Sequence, residues 1–216
     1  MTLDLSWGRI AQDYDKWYET PRGVYADNQE KKLFLKLTEF KKGQTLLDIG
    51  CGTGHFSFWF YTLGLKVTGI DLSLEMLKLA KSKLKNKEIQ FFKGSASHIP
   101  FSDDSFDLVV LITTLEFVSN PGQVLSEALR VCRSKIFLGV LSKYSILAFK
   151  RKLNAYFINK QSVYRKTKFY SLRELKKLIK KSTDEYRIEL RYEKILKQAF
   201  IGLVITKKRL KQKNNK

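Results

Sequence analysis

Short apolar runs alternate with helix-like segments through the middle of the chain. The runs that read as strands are "QTLLDIG" (44–50), "KVTGID" (66–71), "EIQFFKG" (88–94), "FDLVVLI" (106–112) and "KIFLGVL" (135–141). The segments with helical spacing of apolar residues are "HFSFWFYTLG" (55–64), "SLEMLKLAKSKL" (73–84) and "PGQVLSEALRVCR" (121–133). Strands that alternate with helices at this spacing predict an α/β fold with a parallel sheet and right-handed crossovers.

The last quarter of the chain departs from this alternation. Ser171 and Glu174 form the capping-box pattern Ser-x-x-Glu at the start of a helical segment. Two strand-like runs follow, "RIELRYEKIL" (187–196) and "AFIGLVITKK" (199–208). Because no helix fits between them, we expect these two strands to pair antiparallel.

Composition fits one globular domain with appendages. The 216 residues are 44% hydrophobic and 13% aromatic, which is enough for a full core. No apolar run approaches the roughly 20 residues that span a bilayer, and the N-terminus resembles no signal peptide, so we expect a cytoplasmic protein. The two cysteines, Cys51 and Cys132, are expected to be reduced thiols. With only two histidines in the chain, we assign no metal.

Positive charge is concentrated in the second half of the chain. The net charge is +20, yet residues 143–216 hold 23 of the 41 Lys and Arg and only 5 of the 21 Asp and Glu. This asymmetry indicates an anionic partner, with a merely solubilising surface as the alternative. The aromatic and basic stretch 144–170 is expected to lie in a membrane interface, to cap a binding site, or to pack on the core as a helix.

Three glycines in five positions follow the first strand, in the order Gly50-Cys51-Gly52-Thr53-Gly54. Ligands of open parallel sheets bind beyond the carboxyl ends of the strands, and glycines there let the backbone approach a ligand. The third glycine comes one residue earlier than in the dinucleotide pattern G-x-G-x-x-G. Asp48 precedes the loop, and Asp71 ends the second strand, where an acid can accept both hydroxyls of a ribose. The loop therefore predicts a nucleoside ligand that need not carry phosphates.

The motifs around this loop resemble those of a known enzyme family. "LLDIGCGTG", "GIDLS", "GSASHIPFSDDSFDLVV" and "TTLEFVSNPGQVLSEALRV" resemble the class I S-adenosylmethionine-dependent methyltransferases, most of all the ubiquinone/menaquinone-methyltransferase-like type 11 group. The resemblance spans roughly residues 8–140. It implies a Rossmann-like, mostly parallel sheet of seven strands in the order 3-2-1-4-5-7-6, with strand 7 antiparallel and helices on both faces.

The same resemblance implies S-adenosyl-L-methionine as the cofactor, with S-adenosyl-L-homocysteine as the product. The implied cofactor residues are Asp48 for the amino group, Gly50, Gly52 and Gly54 for the methionyl part, Asp71 for the ribose, Leu72, Ser95 and Ala96 for the adenine, and Tyr14, Cys51 and Thr113 elsewhere around it. Ser95 departs from the family, which commonly has an acid there. A serine hydroxyl accepts fewer hydrogen bonds than a carboxylate, so we expect weaker recognition of the adenine.

Two residues after the fourth strand are candidates for catalysis. A sulfonium methyl is already activated, so orientation of the acceptor supplies much of the rate, and a base is needed only where a proton must leave. Thr113 and Thr114 would position an acceptor through their hydroxyls, with ordinary strand threonines as the alternative reading. Glu116 would act as a base, with a solvated carboxylate at a helix start as the alternative reading, and His98 is the other candidate base.

The N-terminal stretch "YDKWYETPRGVY" (14–25) resembles a lid that precedes the core in some small methyltransferases of this family. Tyr14, Trp17 and Tyr18 share one helical face, and a lid of this kind would exclude water from the reaction. Hydrophobic docking onto the core is the alternative. Arg22 and Tyr144 are further candidates for contact with the acceptor.

These predictions divide the chain into five parts: a helical lid (1–40), a cofactor-binding core (41–142), a basic aromatic insert (143–170), a C-terminal helix with an antiparallel strand pair (171–206) and a basic tail (207–216). The favoured acceptor is a small or lipid-like molecule, either anionic or held at an anionic membrane surface on the inner face of the membrane. An RNA methyltransferase that uses the basic half is the second hypothesis, and a non-catalytic cofactor-binding protein is the third. The oligomeric state is left open.

Overall fold

Seven strands form a single sheet in a computed structural model of the chain. The structure describes residue 11 and residues 13–144, 167–182, 187–196 and 199–208. The strands are β1 (Thr45–Ile49), β2 (Lys66–Asp71), β3 (Gln90–Lys93), β4 (Phe106–Ile112), β5 (Cys132–Leu141), β6 (Arg187–Ile195) and β7 (Phe200–Lys208). Their order is β3-β2-β1-β4-β5-β7-β6. Pairing is parallel from β3 to β5, and β7 runs antiparallel to both of its neighbours, which confirms the predicted topology.

The helices of the described residues differ in how they begin, and side chains cap four of them, at Thr20, Ser73, Asn120 and Ser171. They are α1 (Lys16–Glu19), α2 (Pro21–Leu37), α3 (His55–Thr62), α4 (Leu74–Lys83), α5 (Pro121–Val131) and α6 (Leu172–Ser182), with a 3-10 turn at Leu115–Phe117. Ser73 caps α4 by accepting a hydrogen bond from the backbone N–H of Met76. At α6, the Ser171 hydroxyl and backbone N–H both donate to the Glu174 carboxylate, and the capping box is confirmed.

One boundary differs from the prediction. The helical pattern extends to Arg133, but α5 ends at Val131 and β5 begins at Cys132. Cys132 and Arg133 follow the helical period, yet the backbone at Cys132 is already extended (φ −85°, ψ 130°). Pairing with β4 therefore overrides the local pattern at this junction, and β5 is three residues longer than expected.

Both faces of the sheet are covered, which explains why its central strands read as continuous apolar runs. On one face, α5 and α6 bury Leu125, Leu175 and Ile179 against β1, β4 and β5. On the other face, α2 and α3 bury Phe34 and Phe60, whose ring centroids are 4.9 Å apart. These two apolar layers fix the carboxyl ends of β1, β2 and β4 side by side at one edge of the sheet.

Part of the predicted organisation lies outside the described residues. This holds for most of the insert (145–166), for residues 1–10 and for the tail beyond 208. Within the described ranges, no helix has the length and apolar character that crossing a membrane requires.

Candidate functional site

The glycine loop joins the end of β1 to the start of α3 and is folded back onto β2. The backbone N–H groups of Gly50 and Cys51 both donate to the Ile70 carbonyl, at 2.8 and 3.2 Å. The N–H of Gly52 donates to Oδ2 of Asp71 at 2.9 Å. The loop and the acid that ends β2 are thus brought together as the sequence predicts.

The predicted glycines have different surroundings. Gly50 has φ +74°, and a Cβ there would lie 2.6 Å from the Thr114 side chain. Gly52 has φ +54°, and a Cβ there would meet nothing within 4 Å. Because Gly52 borders open space, a ligand can approach the backbone at this position. A Cβ at Gly54 would lie within about 3.0–3.3 Å of Ala80, Leu84 and Phe91, so this glycine allows close packing of α4 and β3.

Asp71 is positioned to recognise hydroxyl groups. Its Oδ1 accepts the N–H of Ser73 at 2.8 Å and its Oδ2 accepts that of Gly52. Burial raises the pKa of Asp71, although these backbone hydrogen bonds oppose the shift. Each carboxylate oxygen keeps a further lone pair, so the group can still accept the two hydroxyls of a ribose. Beside it, the apolar side chain of Leu72 is 47% exposed, which fits a residue that packs against an adenine.

Asp48 is buried beneath the loop. The Ser57 hydroxyl donates to its Oδ2 at 2.6 Å. Burial raises the pKa of Asp48 to about 7, the Ser57 hydrogen bond opposes this shift, and the negative charge of Asp71 adds to it. A carboxyl group with this pKa gains from a nearby cation such as an ammonium group. The position therefore fits the predicted contact with the amino group of the cofactor.

The side chain of Cys51 does not face the open space. It packs under the loop with Leu77, Ala80 and Phe91, and burial raises the pKa of its thiol well above the ordinary value. The prediction of Cys51 as a cofactor residue is therefore limited to its backbone. Cys51 and Cys132 are both free thiols, as expected.

Ser95 and Ala96 lie close to Asp71 because the loop after β3 is fixed there. The N–H of Gly94 donates to the Asp71 carbonyl at 3.0 Å, and Ser95 pairs with His98 in a short antiparallel bridge. The Ser95 hydroxyl also accepts the N–H of Ser97 at 3.2 Å. The adenine-edge prediction is thus compatible with the geometry, with one acceptor position of Ser95 already used.

The residues after β4 make hydrogen bonds to neighbouring strands that the sequence does not predict. The hydroxyl of Thr114 donates to the Ile49 carbonyl at 2.9 Å, so this side chain ties β4 to β1. Thr113 has φ +49° and donates its N–H to Gly139 at 2.7 Å. The engaged Thr114 hydroxyl favours the alternative reading as an ordinary structural threonine, and its role toward an acceptor stays a prediction.

Glu116 is 1% exposed, which excludes the reading as a solvated helix-start carboxylate. Its Oε1 accepts the N–H of Leu141 at 2.5 Å, and its carbonyl accepts the N–H of Lys168 at 3.0 Å. Nearby, the Tyr170 hydroxyl donates to the Leu115 carbonyl. Glu116 thus connects the 3-10 turn to the end of β5 and to the segment that precedes α6.

The N-terminal segment predicted as a lid contacts the glycine loop. The Thr53 hydroxyl donates to Oδ1 of Asp15 at 2.6 Å, and Lys83 at the end of α4 pairs with Oδ2. The Tyr18 ring stacks on His55, with centroids 3.8 Å apart and planes 12° apart. Nε2 of His55 lies 2.8 Å from Oδ1 of Asp27 on α2. Three separate contacts therefore join the lid to the cofactor loop and the start of α3.

The predicted lid residues differ in exposure. Tyr14 and Tyr18 are in edge contact, at 6.0 Å, and both are partly buried, whereas Trp17 is 39% exposed. Arg22, in the first turn of α2, is exposed, and Tyr144 lies at the end of the described core with 73% of its surface exposed. Of this predicted set, Tyr18 contacts His55 and Phe56 at the start of α3, and Tyr14 packs on Tyr18.

Sequence reasoning missed the residues that hold the lid in place, namely Asp15, Asp27, Thr53 and, in this role, His55. Asp15 and Thr53 are 38 residues apart, and Asp27 and His55 are 28 apart. No local pattern links side chains at such separations. Among the described residues, no group of three or more His, Cys, Asp or Glu is arranged to hold a metal ion.

Comparison with known proteins agrees with this geometry. A family model described as a methyltransferase domain (Methyltransf_11) matches residues 47–138. An uncharacterised protein of Methanocaldococcus jannaschii is 32% identical over 174 residues, which cover 80% of this chain and 77% of that protein. A demethylmenaquinone methyltransferase of Lactobacillus johnsonii is 34% identical over 145 residues, which cover 62% of this chain and 57% of that protein. The matched part thus spans little more than half of the Lactobacillus protein.

The fold is also found among solved structures. The crystal structure of an S-adenosylmethionine-dependent methyltransferase from Thermotoga maritima, described as a possible histamine N-methyltransferase, superposes with a TM-score of 0.75 and 25% identity. The match covers 94% of this chain and 98% of that chain. It extends over the lid, the core and the C-terminal strand pair.

Proposed function

Because the chain belongs to the class I S-adenosylmethionine-dependent methyltransferases, in their type 11 group, we propose that it methylates a small, lipid-like acceptor held at an anionic membrane surface. The observation that carries this proposal is the aromatic lid docked on the cofactor loop. The Tyr18 ring stacks on His55, which directly follows that loop, and Tyr14 packs on Tyr18. Rings of this kind suit an apolar or aromatic acceptor better than a phosphate backbone.

The names of the relatives support the same class of acceptor. Several are demethylmenaquinone methyltransferases from bacteria, and their names indicate a quinone-type lipid as their substrate. We propose a quinone-like acceptor for this chain on that basis. An acceptor of this kind resides in a membrane, so the enzyme would work in the cytoplasm, at the inner membrane face.

A basic helix face supports contact with an anionic surface. Leu175 and Ile179 of α6 are buried in the core. The exposed residues of the same helix include Arg173, Lys176, Lys177, Lys180 and Lys181. Basic residues near an anionic membrane each contribute about 1 kcal/mol to binding. The helix can therefore hold the enzyme at the surface from which a lipid acceptor is taken.

The residues of the site divide the chemical task among them. S-adenosylmethionine supplies an activated methyl group, so the protein has to bind, orient and exclude water. Asp71 would hold the ribose, the backbone at Gly52 would face the methionyl part, and Asp48 would hold the amino group. The lid would cover the loop. Glu116 is proposed as a positioning residue that fixes the turn after β4, because its carboxylate is buried and engaged with the backbone of β5.

Radiolabelled S-adenosylmethionine and separated fractions of a cell extract test this proposal. We expect label in the lipid fraction with the parent protein and none with Asp71→Ala, which loses the ribose contact. Label in RNA would contradict the lipid proposal and would make the basic face of α6 a phosphate-binding surface. Cofactor binding without label in any fraction would favour a non-catalytic binding protein.

A further inference from the structure

A single carboxylate in the lid reaches two elements of the cofactor site. Oδ1 of Asp15 accepts the hydroxyl of Thr53 at 2.6 Å, and Oδ2 pairs with Lys83 at the end of α4. Thr53 is fully buried and stands between Gly52 and Gly54. We propose that Asp15 is a positioning residue for the cofactor: it fastens the lid to the glycine loop, so that a bound cofactor leaves only after this contact breaks.

The glycine loop has few side chains that could contact the lid. Its three glycines carry no side chain, and the thiol of Cys51 is packed under the loop against α4 and β3. Thr53 supplies the polar side chain of this stretch, and its hydroxyl is directed to Asp15. The hydrogen bond to an ionised carboxylate is charge-assisted and therefore stronger than one between neutral groups.

Asp15 lies next to the aromatic residues of the lid, so its contact with Thr53 affects where these residues are held. Asp15 lies between Tyr14 and the helix that carries Trp17 and Tyr18, and Tyr18 stacks on His55. Breaking the contact leaves the segment joined to this region through the stack of Tyr18 on His55. Thr53, which Asp15 contacts, is fully buried, and the adjacent Gly52 borders the open space in which the cofactor would meet the backbone.

The two halves of the contact are unequal. The Asp15 and Lys83 side chains are 34% and 40% exposed, and ion pairs with this much exposure contribute little. The Thr53 hydroxyl is buried and makes a short, direct bond. We therefore infer that the hydrogen bond between Asp15 and Thr53 contributes most to keeping the lid on the loop. Lys83 helps to orient the Asp15 carboxylate.

The test measures how fast S-adenosyl-L-homocysteine, first bound in labelled form, leaves the protein after a chase with unlabelled compound. Thr53→Val keeps the shape of the side chain and removes the hydroxyl, and Asp15→Ala removes the acceptor. We expect each variant to release the ligand about tenfold faster, the lower range for loss of a charge-assisted hydrogen bond. The double variant should be no faster than either single one, because both changes break the same bond.

Matched variants separate this role from a general loss of stability. Thr45→Val removes a hydroxyl that also bonds a carboxylate, that of Asp107, but at the opposite edge of the sheet, and it should leave the release rate unchanged. Asp15→Asn keeps an oxygen for Thr53 and loses the charge that pairs with Lys83, so its release rate should fall between those of the parent and Asp15→Ala.

Three results would overturn the proposal: release at the parent rate from folded Thr53→Val, equal acceleration in Thr45→Val, or fully additive effects of the two changes. Thermal unfolding shows which variants are folded. If Asp15→Ala does not fold, the comparison of Thr53→Val with Thr45→Val decides the question alone.

Discussion

The three glycines of the loop meet three different constraints. Gly50 is needed because the Thr114 side chain leaves no room for a Cβ, and Gly54 because α4 and β3 pack against it. Gly52 alone of the three borders open space, so it is the position where the backbone can meet a ligand. The sequence motif presents the three as equivalent, and the contacts around each show that they are not.

This difference can be tested with two alanine substitutions. Gly50→Ala should lower the free energy of unfolding by about 2–4 kcal/mol, since it combines a positive φ with a steric overlap. Gly52→Ala should cost only about 1–2 kcal/mol in stability but weaken cofactor binding at least tenfold, because the methyl group enters the ligand space. Urea unfolding and calorimetric titration measure the two effects. Parent-like affinity of Gly52→Ala would contradict the assignment.

The buried Asp48 predicts a pH dependence of cofactor binding. Its pKa of about 7 lies well above the usual 3.8, so the group takes up a proton as the pH falls through 7. The predicted contact with the amino group of the cofactor requires the ionised form, and affinity should therefore fall by up to about tenfold per unit below pH 7. Asp48→Asn should bind weakly with a flat profile between pH 6 and 8.

A second variant sharpens this test. Ser57→Ala removes the hydroxyl that stabilises the Asp48 carboxylate, so the pKa of Asp48 should rise further and the loss of affinity should begin at a higher pH. Calorimetric titrations at several pH values show both profiles. If the pH dependence persists unchanged in Asp48→Asn, another group causes it.

At the scale of elements, local signals and the family resemblance together predicted the fold. The caps at Ser73 and Ser171, the strand order and the antiparallel terminal pair follow from patterns within a few residues or from the family resemblance. The side-chain contacts that complete the site do not. The roles of Asp15 and Glu116 depend on partners 38 and 25 residues away, Thr53 and Leu141, and neither periodicity nor spacing encodes such pairings.

The capping box of α6 gives a prediction about stability. Hydrogen bonds from the Ser171 hydroxyl and backbone hold the pKa of Glu174 at about 2. Ser171→Ala should cost about 1 kcal/mol at pH 7. Because the folded pKa is lowered, this contribution is present above the usual 4.5 and is lost as the pH falls toward 2.

Urea unfolding at pH 7 and at lower pH measures this change. Ser182→Ala is the matched control, since Ser182 lies at the other end of the same helix and its hydroxyl donates to the carbonyls of Gly122 and Leu178, without involving an acid. A cost of Ser171→Ala that does not change with pH would contradict the assignment to Glu174.

At the scale of the whole molecule, part of the excess positive charge of the second half lies on one exposed surface. The described part of the basic half places five cationic side chains on the exposed side of α6, whose apolar side is part of the core. Composition could indicate an anionic partner but not its location. Residues 145–166 and 209–216, which carry much of the remaining charge, lie outside the described ranges.

Charge reversal tests whether this surface binds anionic membranes. The double variant Lys177→Glu with Lys181→Glu should weaken binding to vesicles that contain anionic lipid by at least about 30-fold at low salt, since each basic residue near such a surface contributes about 1 kcal/mol. Vesicle sedimentation measures the binding. Lys32→Glu with Lys41→Glu, which changes the net charge equally at exposed positions elsewhere, is the control. Equal losses in both double variants would assign the effect to net charge alone.

The most direct test of the proposed function is methyl transfer to a defined lipid acceptor. The protein would be incubated with radiolabelled S-adenosylmethionine and a reduced demethylated quinone in vesicles with and without anionic lipid. We expect labelled quinone from the parent protein, less of it without anionic lipid, and none from Asp71→Ala. If the parent binds the cofactor and yet leaves the quinone unlabelled in both kinds of vesicle, the quinone-like acceptor is contradicted.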